Sequence, residues 1–250
     1  MNCEAHSTPF VHQGVALLSL QRRRFDAELM DQPHLDAEEH RRALGGLHRL
    51  NVASGVSRQI WREIAGLRSH EPGGPLRILD VASGGGDVAW GLWNLASRQG
   101  RPLQILGLDM SAVACGYASH RCRAAGRSIA FRQANVLDEP LPRSFDVVVC
   151  SLFLHHLAWD DATRLLADMA AAGRLLVVSD LRRCAAGYAL AHAACRMLSR
   201  SPVVQCDGPR SVANAFSLGE MKSLCAAAGL EETTVRAAWP CRLMIVRQGS

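Results

Sequence analysis

Aromatic residues are scarce in this sequence, at 5% of 250 residues. Leu, Ala and Val must therefore fill most of the interior, and the length is sufficient for a sizeable hydrophobic core. The chain has no apolar run close to the roughly 20 residues that a membrane-spanning helix needs. The short apolar stretch near its start is followed by charged residues and not by the cleavage pattern of a secretory leader. We therefore expect no transmembrane segment and a cytoplasmic location.

A dense basic stripe is also missing. The formal net charge of +5 comes mostly from scattered arginines, of which only Arg22, Arg23 and Arg24 are adjacent. A solvated face is the expected environment of these three, and contact with anionic lipid is the alternative. Nucleic-acid-binding proteins usually carry denser basic patches with aromatic residues between the charges. We therefore expect no nucleic-acid partner.

Metal-binding spacing is absent from the cysteines and histidines. None of the nine cysteines forms a Cys-x-x-Cys pair, and no histidine pair completes a zinc pattern. Several cysteines lie inside apolar runs, which favours buried free thiols in a reducing compartment over disulfides. The sequence predicts no metal site.

A strong breaker, Glu71-Pro72-Gly73-Gly74-Pro75, divides the chain. Before it, apolar residues at helical spacing predict three helices, from Val11 to about Met30, from Asp36, and from Ser54. Asp36 is a candidate N-cap, followed by Glu39 in the spacing of a capping box. We predict an N-terminal helical cap over residues 1–74 and a core over residues 75–250.

Short apolar strands alternate with helices beyond the breaker. Strands are predicted at 77–82, 103–108, 129–133, 145–151 and 174–179, with helices at 88–99, 112–125 and 160–172 between them. This alternation is typical of an α/β fold, a doubly wound and mostly parallel sheet. Two further strands, at 233–237 and 243–246, have no helix between them and should pair antiparallel. We predict a seven-stranded, mostly parallel sheet whose last strand is antiparallel.

The segment 182–209 interrupts this alternation as an insertion. An apolar helix over 187–199 and a turn at Asp207-Gly208-Pro209 are predicted there, followed by a helix that Ser217 begins. The insertion is a candidate lid over an acceptor, with plain core packing as the alternative. Trp90 and Trp93, on the first core helix, are interpreted as packing residues.

The sequence Ile78-Leu79-Asp80-Val81-Ala82-Ser83-Gly84-Gly85-Gly86-Asp87 carries the strongest functional signal. A buried strand ends in an acid and then passes through three glycines into a helix. Glycines let a ligand approach the backbone, and a helix N-terminus offers free N–H groups. Asp109 ends the next strand, where a carboxylate can accept hydrogen bonds from both ribose hydroxyls. Together the two features favour an adenosine ligand.

Two ligand classes compete for this loop. Gly84, Gly86 and Ala89 formally satisfy the dinucleotide pattern G-x-G-x-x-[G/A], as in a NAD(P)-dependent oxidoreductase. A carboxylate at Asp80 would repel the pyrophosphate of such a ligand. S-adenosylmethionine has no phosphate and carries a sulfonium and an ammonium group, so an acid before the glycines suits it better.

The run from Asp80 to Asp87 resembles the loop of class I S-adenosylmethionine-dependent methyltransferases, most closely the quinone-biosynthesis C-methyltransferases and their O-methylating relatives. Asn135 stands where many members have Asp beside the adenine amine, and Ala82 replaces the commoner glycine. The segment 151–157 and the terminal strand pair are also similar to that family, and the resemblance spans roughly residues 75–247. It implies S-adenosyl-L-methionine as cofactor. The residues it would place around the cofactor are Asp80, Ala82, Ser83, Gly84, Gly86, Asp87, Asp109, Met110, Asn135, Val136 and Ser151.

The segment from Glu28 to Asp36 is similar to that of methyltransferases found beside type III polyketide synthases. This resemblance implies a small phenolic or quinone-like acceptor.

The oligomeric state stays open, with a homodimer as one candidate. A non-catalytic module that binds S-adenosylmethionine is a further alternative.

His155 and His156 follow the fourth core strand, on the edge where an acceptor would lie. A neutral imidazole there could take the proton of a phenol, whereas the alternative is that both only orient the loop. Asp180 ends the fifth strand at the same edge, and a pair with Arg182 or Arg183 is the structural alternative for it. The catalytic candidates are therefore His155 and His156.

Overall fold

The computed structural model describes residues 20–32, 34–71 and 73–249. Its centre is one seven-stranded sheet with the strand order β3-β2-β1-β4-β5-β7-β6. The strands are β1 (Leu76–Val81), β2 (Leu103–Asp109), β3 (Ile129–Gln133), β4 (Phe145–Ser151), β5 (Gly173–Leu181), β6 (Thr234–Ala238) and β7 (Arg242–Gln248). Strand β7 runs antiparallel to both β5 and β6, and the other pairs are parallel. The predicted fold class is confirmed.

Helices cover both faces of this sheet. The helices are α1 (Ala37–Ser54), α2 (Val56–Ile64), α3 (Asp87–Arg98), α4 (Ala112–Ala124), α5 (Trp159–Ala172), α6 (Ala185–Leu198), α7 (Pro202–Asn214) and α8 (Leu218–Ala227). Side chains alternate between the two faces along a strand, so Ile78 of β1 packs with α2 and α3, whereas Leu79 packs with α5 and α8.

Each face of the sheet has its own hydrophobic cluster, and a smaller hydrophobic cluster lies apart from the sheet. Ala43 of α1 packs with Cys195 of α6 and with Val203 and Val204 of α7. Leu29 and Met30, in a 3-10 turn over Leu29–Asp31, are packed against the same cluster. The cap segment and the predicted lid segment thus share one apolar cluster, whereas α2 packs on the sheet.

Two local predictions were wrong. The first predicted helix should have reached Met30, but residues 20–28 are not helical, and its earlier part lies outside the described residues. Asp207-Gly208-Pro209 lies inside α7 and is not a turn. The buried Asp207 carboxylate accepts the backbone N–H groups of Leu29 and Met30, at 2.9 and 3.0 Å. This tertiary contact outweighs the local preference of these residues for a turn.

Helix starts agree more closely with the sequence. Asp36 caps α1 by accepting the N–H groups of Glu38 and Glu39. Ser217 caps α8 in a capping box with Glu220. Helix α2 starts two residues after the predicted Ser54, because Gly55 adopts the left-handed conformation between α1 and α2. No helix in the described part of the chain is long and apolar enough to cross a membrane.

Candidate active site

The candidate site lies at the carboxyl edge of the central strands. Strands β2 and β4 flank β1 on opposite sides, so the strand order reverses between β1 and β4. Ligands of doubly wound sheets bind outside this point. Asp80 near the end of β1, Asp109 at the end of β2 and Ser151 at the end of β4 are therefore brought to one edge.

The glycine loop is anchored on β2. Gly84 donates its N–H to Oδ2 of Asp109 at 2.7 Å, and Ser83 donates its N–H to the Leu108 carbonyl at 2.8 Å. Gly84 and Gly86 have left-handed backbones, with φ of 52° and 72°, and Ala82 adopts the same region at 53°. A Cβ at Gly84 would meet no atom within 4 Å. The loop therefore exposes backbone beside open space.

Close packing explains two other glycines. A Cβ at Gly86 would lie 2.6 Å from the Phe131 ring, and one at Gly107 would lie 2.5 Å from the same ring. Phe131 thus fills the space behind the loop. Gly86 and Gly107 let the loop and β2 approach it.

Asp80 is buried, and its Oδ2 atom has no hydrogen-bond partner. Burial raises the pKa of this carboxyl to about 7, and the charges of Asp109 and Asp87 act in the same direction. The hydroxyl oxygens of Ser83, Ser151 and Ser179 are also buried without a partner. Buried polar atoms normally have partners, so this edge has polar capacity that the described residues leave unused.

Asp87, which was predicted to contact the cofactor, instead contacts side chains of two neighbouring helices. Its Oδ1 contacts Nδ1 of His48 at 2.8 Å and accepts a hydrogen bond from Arg121 at 2.9 Å, while Oδ2 accepts one from Asn51 at 3.2 Å. Burial acts to raise the pKa of Asp87, but His48 and Arg121 outweigh it and hold this pKa below its usual value. Asp87 therefore ties α1 and α4 to the start of α3.

The remaining predicted cofactor residues follow β2 and β3. The Asn135 amide donates to Asp138 at 2.6 Å, and its Oδ1 accepts the N–H of Leu137 at 3.2 Å. Val136 is buried, whereas Met110 is exposed. The Asn135 side chain is thus held in a local turn.

His155 and Asp180 form a buried pair at the same edge. His155 Nδ1 lies 2.6 Å from Asp180 Oδ1, and the His155 backbone N–H donates to Oδ2 at 3.2 Å. Burial acts to raise the pKa of Asp180, but His155 lowers it to below its usual value. The predicted alternative, a pair of Asp180 with Arg182 or Arg183, was wrong. Arg183 instead pairs with Glu220, and each contact measures 2.8 Å.

Arg23 also departs from its prediction as a solvated surface residue. It donates to the carbonyl oxygens of His155 and Leu157, at 3.0 and 2.6 Å. Its guanidinium stacks 3.8 Å from the centre of the Phe216 ring. Arg23 therefore holds the backbone that carries the two histidines.

Two acidic residues near His155 and His156 were not selected from the sequence. Nδ1 of His156 lies 2.8 Å from Oδ2 of Asp31. Glu28 is buried and lies 3.7 Å from Nε2 of His155 and 3.9 Å from Nε2 of His156. Burial acts to lower the pKa of His156, but Asp31 and Glu28 outweigh it and raise this pKa to about 9. In the sequence, the feature that points to them is the pair of acidic residues, Glu28 and Asp31, in the segment that resembles methyltransferases found beside type III polyketide synthases.

Known proteins are similar to part of this chain. The model of a methyltransferase domain family matches residues 78–174. A ubiquinone biosynthesis O-methyltransferase from Methylococcus capsulatus is 33% identical over 46% of this chain and 47% of its own length. A demethylmenaquinone methyltransferase from Deinococcus radiodurans is 34% identical over 47% of this chain and 46% of its own length. The chain thus spans about half the length of the curated relatives it matches.

Among solved structures, an O-methyltransferase from neocarzinostatin biosynthesis has a similar fold. Its TM-score is 0.51 at 21% identity, and the match covers 82% of this chain and 58% of that one. That structure was solved with S-adenosylmethionine and 2-hydroxy-5-methyl naphthoic acid.

The domain match, the strand order and the terminal hairpin agree. Residues 78–174 therefore match a methyltransferase domain, and the seven-stranded sheet is consistent with the class I methyltransferase fold that the sequence predicted, with S-adenosylmethionine as the predicted cofactor.

Proposed function

We propose that this chain transfers a methyl group from S-adenosylmethionine to a hydroxyl oxygen on a small phenolic or quinone-like acceptor. The observation that carries the proposal is the buried pair of His155 and Asp180 at the carboxyl edge that also carries the glycine loop. This pair places a candidate proton acceptor at the same edge of the sheet as Asp80, Asp109 and the glycine loop. A cytoplasmic location stays a prediction, and the oligomeric state stays open.

The unused polar atoms fit the cofactor. When bound, S-adenosylmethionine supplies an electrophilic methyl group on a positively charged sulfur. The unpartnered Oδ2 of Asp80 can accept a bond from the ammonium group of the methionine end, and a carboxylate nearby favours a cation. Each oxygen of Asp109 accepts one backbone N–H and keeps a lone pair for a ribose hydroxyl. Gly84 leaves room at the backbone.

His155 is suited to accept the proton of the acceptor hydroxyl. The carboxylate of Asp180 can only accept a hydrogen bond when ionised, so Nδ1 of His155 carries the proton in this pair. Nε2 is then the basic atom. The lowered pKa of Asp180 keeps its carboxylate charged, which stabilises the imidazolium formed after proton transfer. The described residues thus provide a nitrogen base with a fixed tautomer.

Relatives support the acceptor class. One curated relative is named for ubiquinone biosynthesis and the other for demethylmenaquinone, and the neocarzinostatin enzyme was solved with a hydroxylated naphthoic acid. Proton removal from oxygen uses the His155 base directly, which favours O-methylation. The segment 182–209 contains α6 and the first part of α7, and we propose that it covers the acceptor.

Formation of S-adenosylhomocysteine tests the proposal. The purified chain is incubated with S-adenosylmethionine and a panel of catechols, hydroxynaphthoic acids and hydroquinones, each paired with its fully O-methylated analogue. We expect product only with a free hydroxyl. Binding of S-adenosylmethionine without turnover on any acceptor would support the non-catalytic module, and binding of NAD alone would support the oxidoreductase.

A further inference from the structure

We propose that Glu28, His155 and His156 form a binding site for one divalent transition-metal ion such as Zn²⁺. One ligand atom from each residue lies within 4.8 Å of the other two. Glu28 and His155 are buried and His156 is half-buried. The histidines follow β4, whereas Glu28 comes from the segment before α1, so the site would join the cap segment to the sheet.

The distances fit metal ligands better than hydrogen bonds. Nε2 of His155 lies 3.7 Å from Oε1 of Glu28, and Nε2 of His156 lies 3.9 Å from Oε2. Both exceed the length of a hydrogen bond. Two nitrogen or oxygen ligands of a tetrahedral zinc ion lie roughly 3.4 Å apart, given bonds of about 2.1 Å. Small side-chain shifts therefore bring the three atoms around one ion.

Outer carboxylates orient both imidazoles. Asp180 binds Nδ1 of His155 at 2.6 Å, and Asp31 binds Nδ1 of His156 at 2.8 Å. Metal-binding histidines usually donate their second ring N–H to a carboxylate, which fixes the tautomer and directs the free nitrogen at the metal. Here both free Nε2 atoms face the same carboxylate, that of Glu28.

The local charge also favours a cation. Within the described residues, Glu28 contacts the two imidazoles and accepts a hydrogen bond from Ser211 at 2.7 Å, but it forms no ion pair with a lysine or arginine. A buried carboxylate needs a compensating positive charge. Protonated imidazoles are the alternative source of that charge.

Metal and proton would compete for the same atom. Nε2 of His155 is the proton acceptor in the proposed methyl transfer, and a coordinated nitrogen cannot accept a proton. Metal binding itself does not depend on that function. We therefore expect Zn²⁺ to inhibit methyl transfer and a chelator to restore it, while direct binding is measured without cofactor or acceptor.

Titration with Co²⁺, followed by its visible absorption, tests the site. Wild-type protein is compared with Glu28→Gln and Asp31→Asn, and with His120→Gln on the exposed surface of α4 as matched control. We expect one tight site without thiolate charge-transfer absorption in wild type and in His120→Gln. Loss of an outer carboxylate typically weakens metal binding about 10- to 100-fold, so Asp31→Asn should weaken it by that factor and Glu28→Gln at least as much.

Thermal melting checks that each variant is folded. Asp31 is exposed, so its variant carries the test if Glu28→Gln fails to fold. Equal Co²⁺ affinity in wild type and Asp31→Asn, absorption typical of thiolate ligands, or no tight binding by wild type would overturn the proposal. Each of these outcomes leaves the methyl-transfer assay unaffected, so the two proposals fail separately.

Discussion

Nδ1 of His155 lies 2.6 Å from Oδ1 of Asp180, and both side chains are buried where β4 and β5 end. The carboxylate fixes the imidazole tautomer and leaves Nε2 as the basic atom. The proposed chemistry follows from this pair and from the glycine loop at the same sheet edge, which is headed by Asp80 with its unpartnered Oδ2.

The first prediction concerns this pair. His155→Gln removes the base, and Asp180→Asn removes the group that holds its tautomer. General bases contribute about 10² to 10⁴ to rates, so each variant should lower kcat on a phenolic acceptor by a factor in that range, with S-adenosylmethionine affinity unchanged. His120→Gln should retain wild-type kcat. A kcat of His155→Gln equal to wild type would show that the acceptor needs no base from this residue.

The second prediction concerns Asp80 and pH. Its pKa is raised to about 7, so the folded protein without cofactor holds a proton that the unfolded chain releases near 3.8. This carboxyl therefore destabilises the unliganded fold as pH rises from about 4 to 7. A cationic cofactor prefers the ionised carboxylate, and S-adenosylmethionine affinity should rise up to about tenfold per pH unit below 7 and level off above it. Calorimetric titration from pH 5.5 to 7.5 measures this dependence.

Asp80→Asn should flatten that profile, and Asp160→Asn, on the exposed surface of α5, should leave it intact. The same slope in wild type and Asp80→Asn would contradict the contact between Asp80 and the cofactor.

The third prediction concerns the ion pair of Arg183 and Glu220. Burial acts to raise the pKa of Glu220, but hydrogen bonds from Arg183 and the Ser217 backbone outweigh it and hold this pKa at about 2. A depressed carboxyl pKa stabilises the fold above its unfolded value, near 4.5, and this stabilisation is lost as pH falls through 2. Urea unfolding of wild type and Glu220→Gln should show a constant difference above pH 5 that shrinks toward pH 2. A difference that does not change with pH would contradict the assignment.

The fourth prediction concerns close packing behind the loop. A Cβ at Gly107 would lie 2.5 Å from the Phe131 ring and 2.8 Å from the Ser83 hydroxyl. Gly107→Ala should lower the free energy of unfolding by about 1–3 kcal/mol and weaken cofactor binding, and Phe131→Leu should partly restore both. Gly116→Ala in α4, where a Cβ meets no atom within 4 Å, should instead be neutral or stabilising. Equal stability of both alanine variants would contradict the close packing of Phe131 against Gly107.

Much of the fold could be predicted from local patterns. The buried run Phe145–Ser151 and the strand Ile129–Gln133 match their predicted bounds, because apolar runs bounded by turns specify strands directly. Ser217 was predicted to begin α8 and does cap it. The hairpin of β6 and β7 followed from the missing helix between them.

Contacts between distant segments could not be predicted. Asp207 was assigned to a turn because its neighbours are Gly and Pro, but its carboxylate binds the backbone of Leu29 and Met30. Glu28 and Asp31 meet His155 and His156 only after the chain has folded. Glu28 was predicted to lie in a helix, and helical periodicity does not indicate which distant side chains a residue will contact. Local patterns thus located the glycine loop, whereas the acidic partners of the histidines depend on contacts between distant segments.

Isothermal titration of S-adenosylmethionine into wild-type protein and Asp109→Asn tests the central claim most directly, with NAD titrated in parallel. The loop headed by Asp80 and anchored on Asp109 should bind S-adenosylmethionine at one site per chain, with affinity at least about tenfold weaker in Asp109→Asn because the charge of a half-buried, hydrogen-bonded carboxylate is removed. NAD should not bind. Binding of NAD without S-adenosylmethionine, or equal S-adenosylmethionine affinity in both proteins, would contradict the account.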